Sequence, residues 1–147
     1  MIFDDYISPI YNVKMCSISR VNDTDLAITD IDILNSYIGT VEDIIYLPDT
    51  KCILESIQEQ LIKVNGMLYT NNIQHDTLKS YIQDLSYDCE KIKALGVVPD
   101  NFVIPKGPLH YCRSLAYRCA QSTFNIKDVS KYLSQLSYYF FLLSLIQ

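Results

Sequence analysis

Two arginines five residues apart, Arg113 and Arg118, lie in a segment that is otherwise largely apolar. Guanidinium groups beside apolar surface need carboxylates or an anionic ligand as partners. One interpretation is therefore an anion site that holds a phosphate chain. The other is a pair of salt bridges between helices, to Asp30, Asp32 or Asp84, and the spacing alone favours these salt bridges.

The cysteines and histidines lack the spacing of a metal site or a catalytic dyad. His75 and His110 fall on different predicted helices, and neither has a further ligand nearby. Cys112 and Cys119 lie one heptad apart, where two core thiols fit better than two ligands. Cys112 is two residues from His110, so the two side chains face different ways and do not form a nucleophile and its base. The Lys-Gly pair at 106–107 lacks the preceding glycine of a phosphate-binding loop.

The composition predicts one folded domain in a reducing compartment. The chain has 147 residues, 49% of them apolar and 20% charged, which is enough for an ordinary core. Five cysteines without a Cys-x-x-Cys spacing are expected as buried free thiols, which fits a cytoplasmic location. A net charge of -5 disfavours nucleic-acid binding. We expect no secretory signal, because Asp4, Asp5 and Pro9 interrupt the first eleven residues. We also expect no membrane span, because the longest apolar stretch, at 136–146, is too short.

Apolar residues recur at spacings of three and four, which predicts an all-α chain. Five apolar stripes predict five helices, and they run from Ile31 to Ile45, Ile53 to Leu68, Leu78 to Ile92, Leu109 to Cys119 and Val129 to Leu143. Thr29 or Asp30 is the predicted cap of the first helix, with Pro48 just past its end. Asn125 is the predicted cap of the fifth helix.

The connections between the predicted helices favour a bundle. A loop over 97–108 contains three prolines and separates the third helix from the fourth. The other connections are short and imply antiparallel neighbours. Residues 1–24 show no apolar period and are expected as an irregular arm ahead of a helical bundle domain over 25–147.

Residues 102–121 carry the most informative motif. They read FVIPKG and then PLHYCRSLAYRCAQ. This resembles the hallmark of the PduO-type ATP:cob(I)alamin adenosyltransferases, which is FILPGG followed by LHxxRxxxRRAER. Three more blocks match in the same order: IDILNSYIG at 31–39 with VDELNSxIG, ILESIQEQL at 53–61 with LLxxIQNDL, and KYLSQLSYY at 131–139 with KFLNRLSD. The resemblance covers about residues 17–147.

The resemblance implies a five-helix up-down bundle that assembles as a homotrimer. In this family ATP and corrinoid bind at subunit interfaces, and the adenosyl group of ATP moves to the cobalt of reduced cobalamin. Phe102 matches the family phenylalanine that packs beneath the corrin. Arg113 and Arg118 match two arginines at the ATP site. Asp32 and Asn35 match part of the DELN block, so these five positions are the implied cofactor-binding residues.

Other positions of the implied site depart from the family. Residues 1–18 contain no glycine, so the family's glycine-rich ATP loop has no counterpart. Several residues of the family's spacer are also missing between 107 and 109. Seven family residues are replaced: glutamate by Ile33, arginine by Tyr117, glutamate by Ala120, arginine by Gln121, asparagine by Ser134, arginine by Gln135 and aspartate by Tyr138. Preorganised donors contribute about 10²–10³ in rate apiece, so this loss predicts that turnover is abolished.

The sequence therefore predicts a pseudoenzyme without a cofactor of its own. We expect it to be a homotrimer that acts as a structural or protein-interaction module for an unknown partner. Twelve tyrosines and no tryptophan fit an interaction surface. The same composition also fits an AT-rich genome. The compact chain with an animal-like LHYCRSLAYRCA segment suggests a large DNA virus. The alternatives are a corrinoid-binding protein, an active adenosyltransferase, and a subunit that inserts into an active trimer.

Overall fold

The structure, a computed structural model, describes residues 23–147 together with the backbone of two short strands nearer the start of the chain. The strands β1 (Tyr6–Ile7) and β2 (Lys14–Met15) pair antiparallel. The helices are α1 (Asp23–Glu42), α2 (Pro48–Thr70), α3 (His75–Lys93), α4 (Pro108–Ser122) and α5 (Lys127–Ser144). The rest of the predicted arm lies outside the described residues.

The five helices form an up-down bundle, which confirms the predicted all-α fold. Helix α1 packs against α2 and α4, α4 packs against α5, and α5 packs against α3. The end of α1, the start of α4 and the end of α5 line one cleft. We call this end of the bundle the loop end, because it also holds the α1–α2 connection (43–47) and the α3–α4 connection (94–107). No helix in residues 23–147 is long and apolar enough to cross a membrane.

The predicted apolar stripes form the core. All residues of the first, fourth and fifth stripes are buried, and Ile53 and Ile82 are the two stripe residues that are only partly buried. A fully buried Leu or Ile side chain stabilises the fold by about 1.5–3 kcal/mol. The largest buried side chain is Tyr132, whose hydroxyl donates to Gln60 Oε1 at 2.8 Å and so joins α5 to α2.

The first helix begins earlier than predicted. Helix α1 starts at Asp23 instead of after a cap at Thr29 or Asp30. Ala27 and Ile28 are buried and extend the apolar stripe toward the start of the chain, so the helix continues through the predicted cap. Within the helix, the Thr29 hydroxyl donates to the Asp25 carbonyl, four residues earlier. The domain boundary expected at residue 25 therefore falls inside the first turn of α1.

Pro48 lies past the end of α1, as predicted, whereas the cap of α5 differs from the sequence prediction. Pro48 lies in the first turn of α2, where a missing N–H leaves no hydrogen bond unmade. The N-cap residue of α5 is Ile126, and no side chain makes a capping hydrogen bond there. The predicted Asn125 cap is therefore wrong. In both cases the helix starts where its apolar face can pack.

Only some of the cysteines are buried in the core, although the sequence predicted burial for all of them. Cys89, Cys112 and Cys119 are buried free thiols, as expected, but Cys52 is exposed. Cys52 lies on the opposite side of α2 from the buried residue Leu54, so the prediction was wrong for this thiol. Burial raises the pKa of both Cys112 and Cys119 to about 12, which keeps these thiols protonated and unreactive. Cys16 lies outside the described residues.

Candidate functional site

The five residues implied as a site fall on three separate parts of the bundle. Asp32 and Asn35 belong to α1, where it packs on α2. Phe102 lies in the α3–α4 connection. Arg113 and Arg118 belong to α4, which packs between α1 and α5. The environments of these three places differ, and each is described in turn.

Asn35 holds α1 against α2. Its side chain is buried, and Nδ2 donates to the Gln58 carbonyl at 3.2 Å. In return, Gln58 Nε2 donates to the Asn35 carbonyl at 3.0 Å. Gly39, one turn along, allows this close approach, since a Cβ there would lie 3.2 Å from Gln58 Nε2. We call this reciprocal pair the amide clasp, and it gives Asn35 a structural role that needs no ligand.

A second amide repeats the arrangement further along the two helices. Asn65 of α2 is buried, and its Nδ2 donates to the Ile28 carbonyl of α1 at 3.2 Å. Two buried amides therefore fix the register between α1 and α2. The Nδ2 atoms of both amides are hydrogen-bonded, whereas the buried Oδ1 atoms of Asn35 and Asn65 have no partner among the described residues, so each amide is satisfied only in part.

The surface beside the amide clasp is acidic. Asp32 and Asn35 line a groove of about 420 Å³ between α1 and α2. The groove, which we call the acidic groove, is also lined by Ser36, Glu55, Gln58, Glu59 and Ile62. The carboxylates of Glu55 and Glu59 repel a phosphate chain. In residues 23–147, no three His, Cys, Asp or Glu side chains are close enough to hold a metal ion.

Phe102 is fully exposed in the α3–α4 connection, at 105% of its reference area. Ile104 beside it is 72% exposed, whereas Val97 packs against the core. The connection is rich in proline, which limits its helical and turn conformations. Exposed large apolar side chains that cluster on a surface mark a place where a ligand or a partner binds. The position of Phe102 thus fits contact with another molecule.

Arg118 forms a salt bridge between α4 and α1. Its Nε lies 3.3 Å from Asp30 Oδ1. The hydroxyl of Ser122 donates to the second oxygen of the same carboxylate, Asp30 Oδ2, at 2.7 Å. The Asp30 side chain is only 12% exposed, so the partners compensate a largely buried charge. The predicted salt bridge is confirmed for Arg118, and Asp30 is the partner among the three carboxylates considered.

Arg113 has a different environment on the same helix. It is half-buried, and within residues 23–147 it forms no ion pair with a carboxylate. Its carbonyl accepts a hydrogen bond from the Ser137 hydroxyl of α5 at 2.9 Å. Burial, followed by the charge of Arg113, lowers the pKa of the nearby His110, which is therefore neutral at pH 7. The guanidinium of Arg113 remains available to an anion.

Three of the seven positions where family residues are replaced make contacts inside the bundle, and the other four are exposed, namely Ile33, Tyr117, Gln121 and Ser134. Ala120 is buried where α4 meets α5, and its carbonyl accepts from the Ser130 hydroxyl at 2.8 Å. Gln135 Nε2 donates to the buried Cys89 Sγ at 3.4 Å. Tyr138 stacks on Phe141 with ring centroids 6.4 Å apart. At these three positions the resemblance implies residues of a ligand site, and the residues of this chain contact the bundle instead.

The sequence reasoning missed a basic surface on α5. A groove of about 460 Å³ runs along this helix, and we call it the basic groove. It is lined by Lys127, Lys131, Ser130, Ser134, Gln135 and Tyr138 of α5, with Ile82 and Phe124. The spacing of the two lysines, one helical turn apart, would have indicated this groove. Beside it, His75 Nδ1 bonds to Asp128 Oδ2 and joins the starts of α3 and α5.

Comparisons with known proteins agree with this architecture. A sequence model of the family described as cobalamin adenosyltransferase matches residues 14–147. A similar solved structure is a phenylalanine-to-alanine variant of the PduO-type ATP:corrinoid adenosyltransferase from Lactobacillus reuteri, complexed with cobalamin and ATP. The TM-score is 0.64 at 20% sequence identity, over 88% of this chain and 82% of that chain. No curated protein sequence matches the chain.

The family match and the fold support one assignment. The match spans the bundle and reaches the second strand, and it includes the residues of all four motif blocks. The structural likeness, at 20% identity, shows the fold. The protein therefore belongs to the cobalamin adenosyltransferase family.

Proposed function

We propose that this chain is a family member that no longer transfers an adenosyl group and works in the cytoplasm as a homotrimeric protein-interaction module. One observation carries the proposal: at three of the seven replaced positions, Ala120, Gln135 and Tyr138, the residue present carries no charge and contacts its own bundle. Ala120 is sealed between α4 and α5, and Tyr138 stacks on Phe141. Arg118, which is retained, is neutralised by Asp30.

The remaining residues do not fit ATP. A triphosphate with its metal ion carries several negative charges and needs several cationic or N–H donors to hold them. Among the residues implied by resemblance, Arg113 alone keeps an uncompensated charge within residues 23–147. The acidic groove beside Asp32 and Asn35 opposes an anion. We therefore derive no catalytic step for this chain.

Charge complementarity supports assembly of the chain with itself. The acidic groove lies between α1 and α2, and the basic groove lies along α5 on a different side of the bundle. Contact of one groove with the other is heterologous, and a heterologous contact can close into a ring of subunits. Light scattering should give three times the chain mass. Lys131→Glu should dissociate the ring, and adding Glu59→Lys should restore it.

The catalytic part of the proposal is tested with the reaction itself. Purified protein is mixed with MgATP and chemically reduced cobalamin, and the absorbance change of cobalt–carbon bond formation is followed. We expect no turnover, and calorimetry should detect neither MgATP nor cobalamin at micromolar concentrations. Turnover, or micromolar binding of both ligands, would overturn the proposal.

Corrinoid binding without ATP is the second candidate, and the exposure of Phe102 favours it. The phenyl ring is retained by resemblance and is available to a flat apolar ligand. If this candidate is right, cobalamin alone binds, and Phe102→Ala weakens binding at least tenfold. Tyr46→Phe, at another exposed aromatic of the loop end, is the matched control and should leave cobalamin affinity unchanged.

A further inference from the structure

Tyr46 is the most exposed tyrosine among residues 23–147. It lies in the α1–α2 connection, and its side chain is 90% exposed. Residues 23–147 contain ten tyrosines, and Tyr46 is the one that lies outside a helix. The connection is held by the buried side chain of Ile45 and by three backbone hydrogen bonds: Ile44 N–H donates to the Val41 carbonyl at 3.0 Å, Ile45 N–H to the Glu42 carbonyl at 3.4 Å, and Lys51 N–H to the Leu47 carbonyl at 3.1 Å. A segment held by so few contacts opens locally at low cost.

The other exposed tyrosines are held in helices and mostly in ring contacts. Lys91 lies over the Tyr87 ring, 5.2 Å from its centroid. Tyr111 packs edge-on against Tyr37, and Tyr138 stacks on Phe141 of the same helix. An enzyme that modifies a side chain in an extended segment would have to unwind a helix at each of these. At Tyr46 it needs to open a five-residue connection and to loosen the helix ends beside it, since Glu42 is the last residue of α1 and Pro48 the first of α2.

The charges around Tyr46 form a recognisable pattern. Glu42 and Asp43 precede it, separated from it by two isoleucines, and Asp49 follows it. Pro48 fixes the backbone after it as α2 begins. Enzymes that phosphorylate proteins choose their targets by such charge patterns, because complementary charges favour the right segment and exclude others.

We propose that Tyr46 is a phosphorylation site for a protein tyrosine kinase that selects acidic residues ahead of its target. The Tyr46 Oη attacks the γ-phosphorus of ATP, and a bond from Oη to phosphorus forms. The bond from the γ-phosphorus to the bridging oxygen breaks, and ADP leaves with that electron pair. The phenolic proton passes to the catalytic carboxylate of the kinase.

The phosphate has a cationic neighbour at the loop end. Tyr46 and Lys106 line the same cleft, of about 180 Å³, together with Val41 and Leu109. A phosphotyrosine carries about -1.5 to -2 charges at pH 7 and pairs with a cation within reach. Pairing with Lys106 ties the α1–α2 connection to the connection that carries Phe102. Phosphorylation thereby orders the exposed apolar surface of the loop end.

The experiment uses the whole protein, ATP and a purified tyrosine kinase domain that prefers acidic residues before its target. Mass spectrometry of the digested product should find a phosphate at Tyr46 alone among the ten tyrosines of residues 23–147. Incorporation is counted on the peptides of these residues, because Tyr6 directly follows Asp4 and Asp5 and fits the same kinase preference. Tyr46→Phe should lower phosphate incorporation at least tenfold, whereas the matched control Tyr87→Phe should stay within twofold of the wild type. No phosphorylation, modification of helical tyrosines, or unchanged incorporation in Tyr46→Phe would overturn the proposal.

The consequence at Lys106 has its own measurement. Hydrogen exchange of residues 94–107 should slow at least threefold when the wild-type protein is phosphorylated. In Lys106→Ala, phosphorylation should proceed at the wild-type rate but leave this exchange unchanged. Equal slowing in both proteins would overturn the pairing and leave the modification site itself intact.

Discussion

The contact between α1 and α2 keeps the residues of the family pattern, whereas the contact between α4 and α5 has exchanged them. On the first side, Asn35 and Gly39 are retained, and both take part in the amide clasp with Gln58. On the second side, Ala120, Gln135 and Tyr138 stand where charged residues are expected, and each contacts its own bundle.

The difference teaches how to interpret a retained motif. Asn35 joins two helices, so its identity is explained by the fold and says little about a ligand. The residues now present at the exchanged positions of α4 and α5 carry no charge and need no ionic partner. Replacing a buried ionic group by an apolar one is often neutral or favourable for the stability of the fold. Phe102 is the retained residue whose full exposure the fold does not explain.

Restoring the family glutamate on α4 should have the largest effect. Ala120→Glu places a carboxylate in a position that is only 4% exposed, among packed side chains of α4 and α5. We expect it to lower the free energy of unfolding by about 3 kcal/mol, measured by urea denaturation. Gln121→Arg, at the exposed neighbouring position, is the control and should stay within about 0.5 kcal/mol. A tolerated glutamate would show that this contact still accommodates a charged site.

High pH should weaken the α4 side of the core. Cys112 and Cys119 titrate near pH 9 when unfolded, and burial raises their pKa to about 12 in the folded protein. Their contribution is fully present below pH 9 and is lost as the pH rises toward 12. Between pH 8 and 10 the two thiols should together cost about 2–3 kcal/mol. Urea denaturation across this range measures the slope, and a Cys112→Ala, Cys119→Ala double variant should lose most of it.

Breaking the amide clasp should cost less. Asn35→Ala removes the bond to the Gln58 carbonyl and leaves the clasp one-sided. We expect the free energy of unfolding to fall by about 1–2 kcal/mol in thermal or urea denaturation. Ser36→Ala, next to it on the exposed side of α1, should be nearly neutral. If Asn35→Ala were also neutral, Asn35 would have no structural reason to match the family, and a ligand role would regain weight.

The salt bridge between α4 and α1 should contribute the least. The Arg118 side chain is 70% exposed, so solvent screens its attraction to Asp30. A double-mutant cycle of Arg118→Ala and Asp30→Ala should give a coupling of at most about 1 kcal/mol, reduced further at 1 M salt. A coupling above 2 kcal/mol, or one insensitive to salt, would contradict the screened pair.

The sequence predicted the helices better than the contacts between polar side chains. The apolar stripe of α4, from Leu109 to Cys119, is buried at every position, because the helical period and the need to bury apolar area leave one orientation. The partner of Arg118 could not be chosen among three carboxylates, since that choice depends on how α1 and α4 are rotated and shifted. The two lysines of the basic groove can be found in the sequence one helical turn apart, but the walls of the groove cannot, because Phe124 and Ile82 join it from other elements.

By itself the sequence determined the class of fold and, through four motif blocks in order, the family. The five predicted helices bury their apolar stripes by packing against one another in a bundle. The tertiary structure decided which polar groups meet: Asn35 with Gln58, and Arg118 with Asp30 and Ser122. It also placed Tyr46 and Lys106 in the lining of one cleft. Hydrogen bonds and ion pairs act over about 3–4 Å, so they depend on the relative rotation and rise of whole helices, which no local pattern of residues specifies.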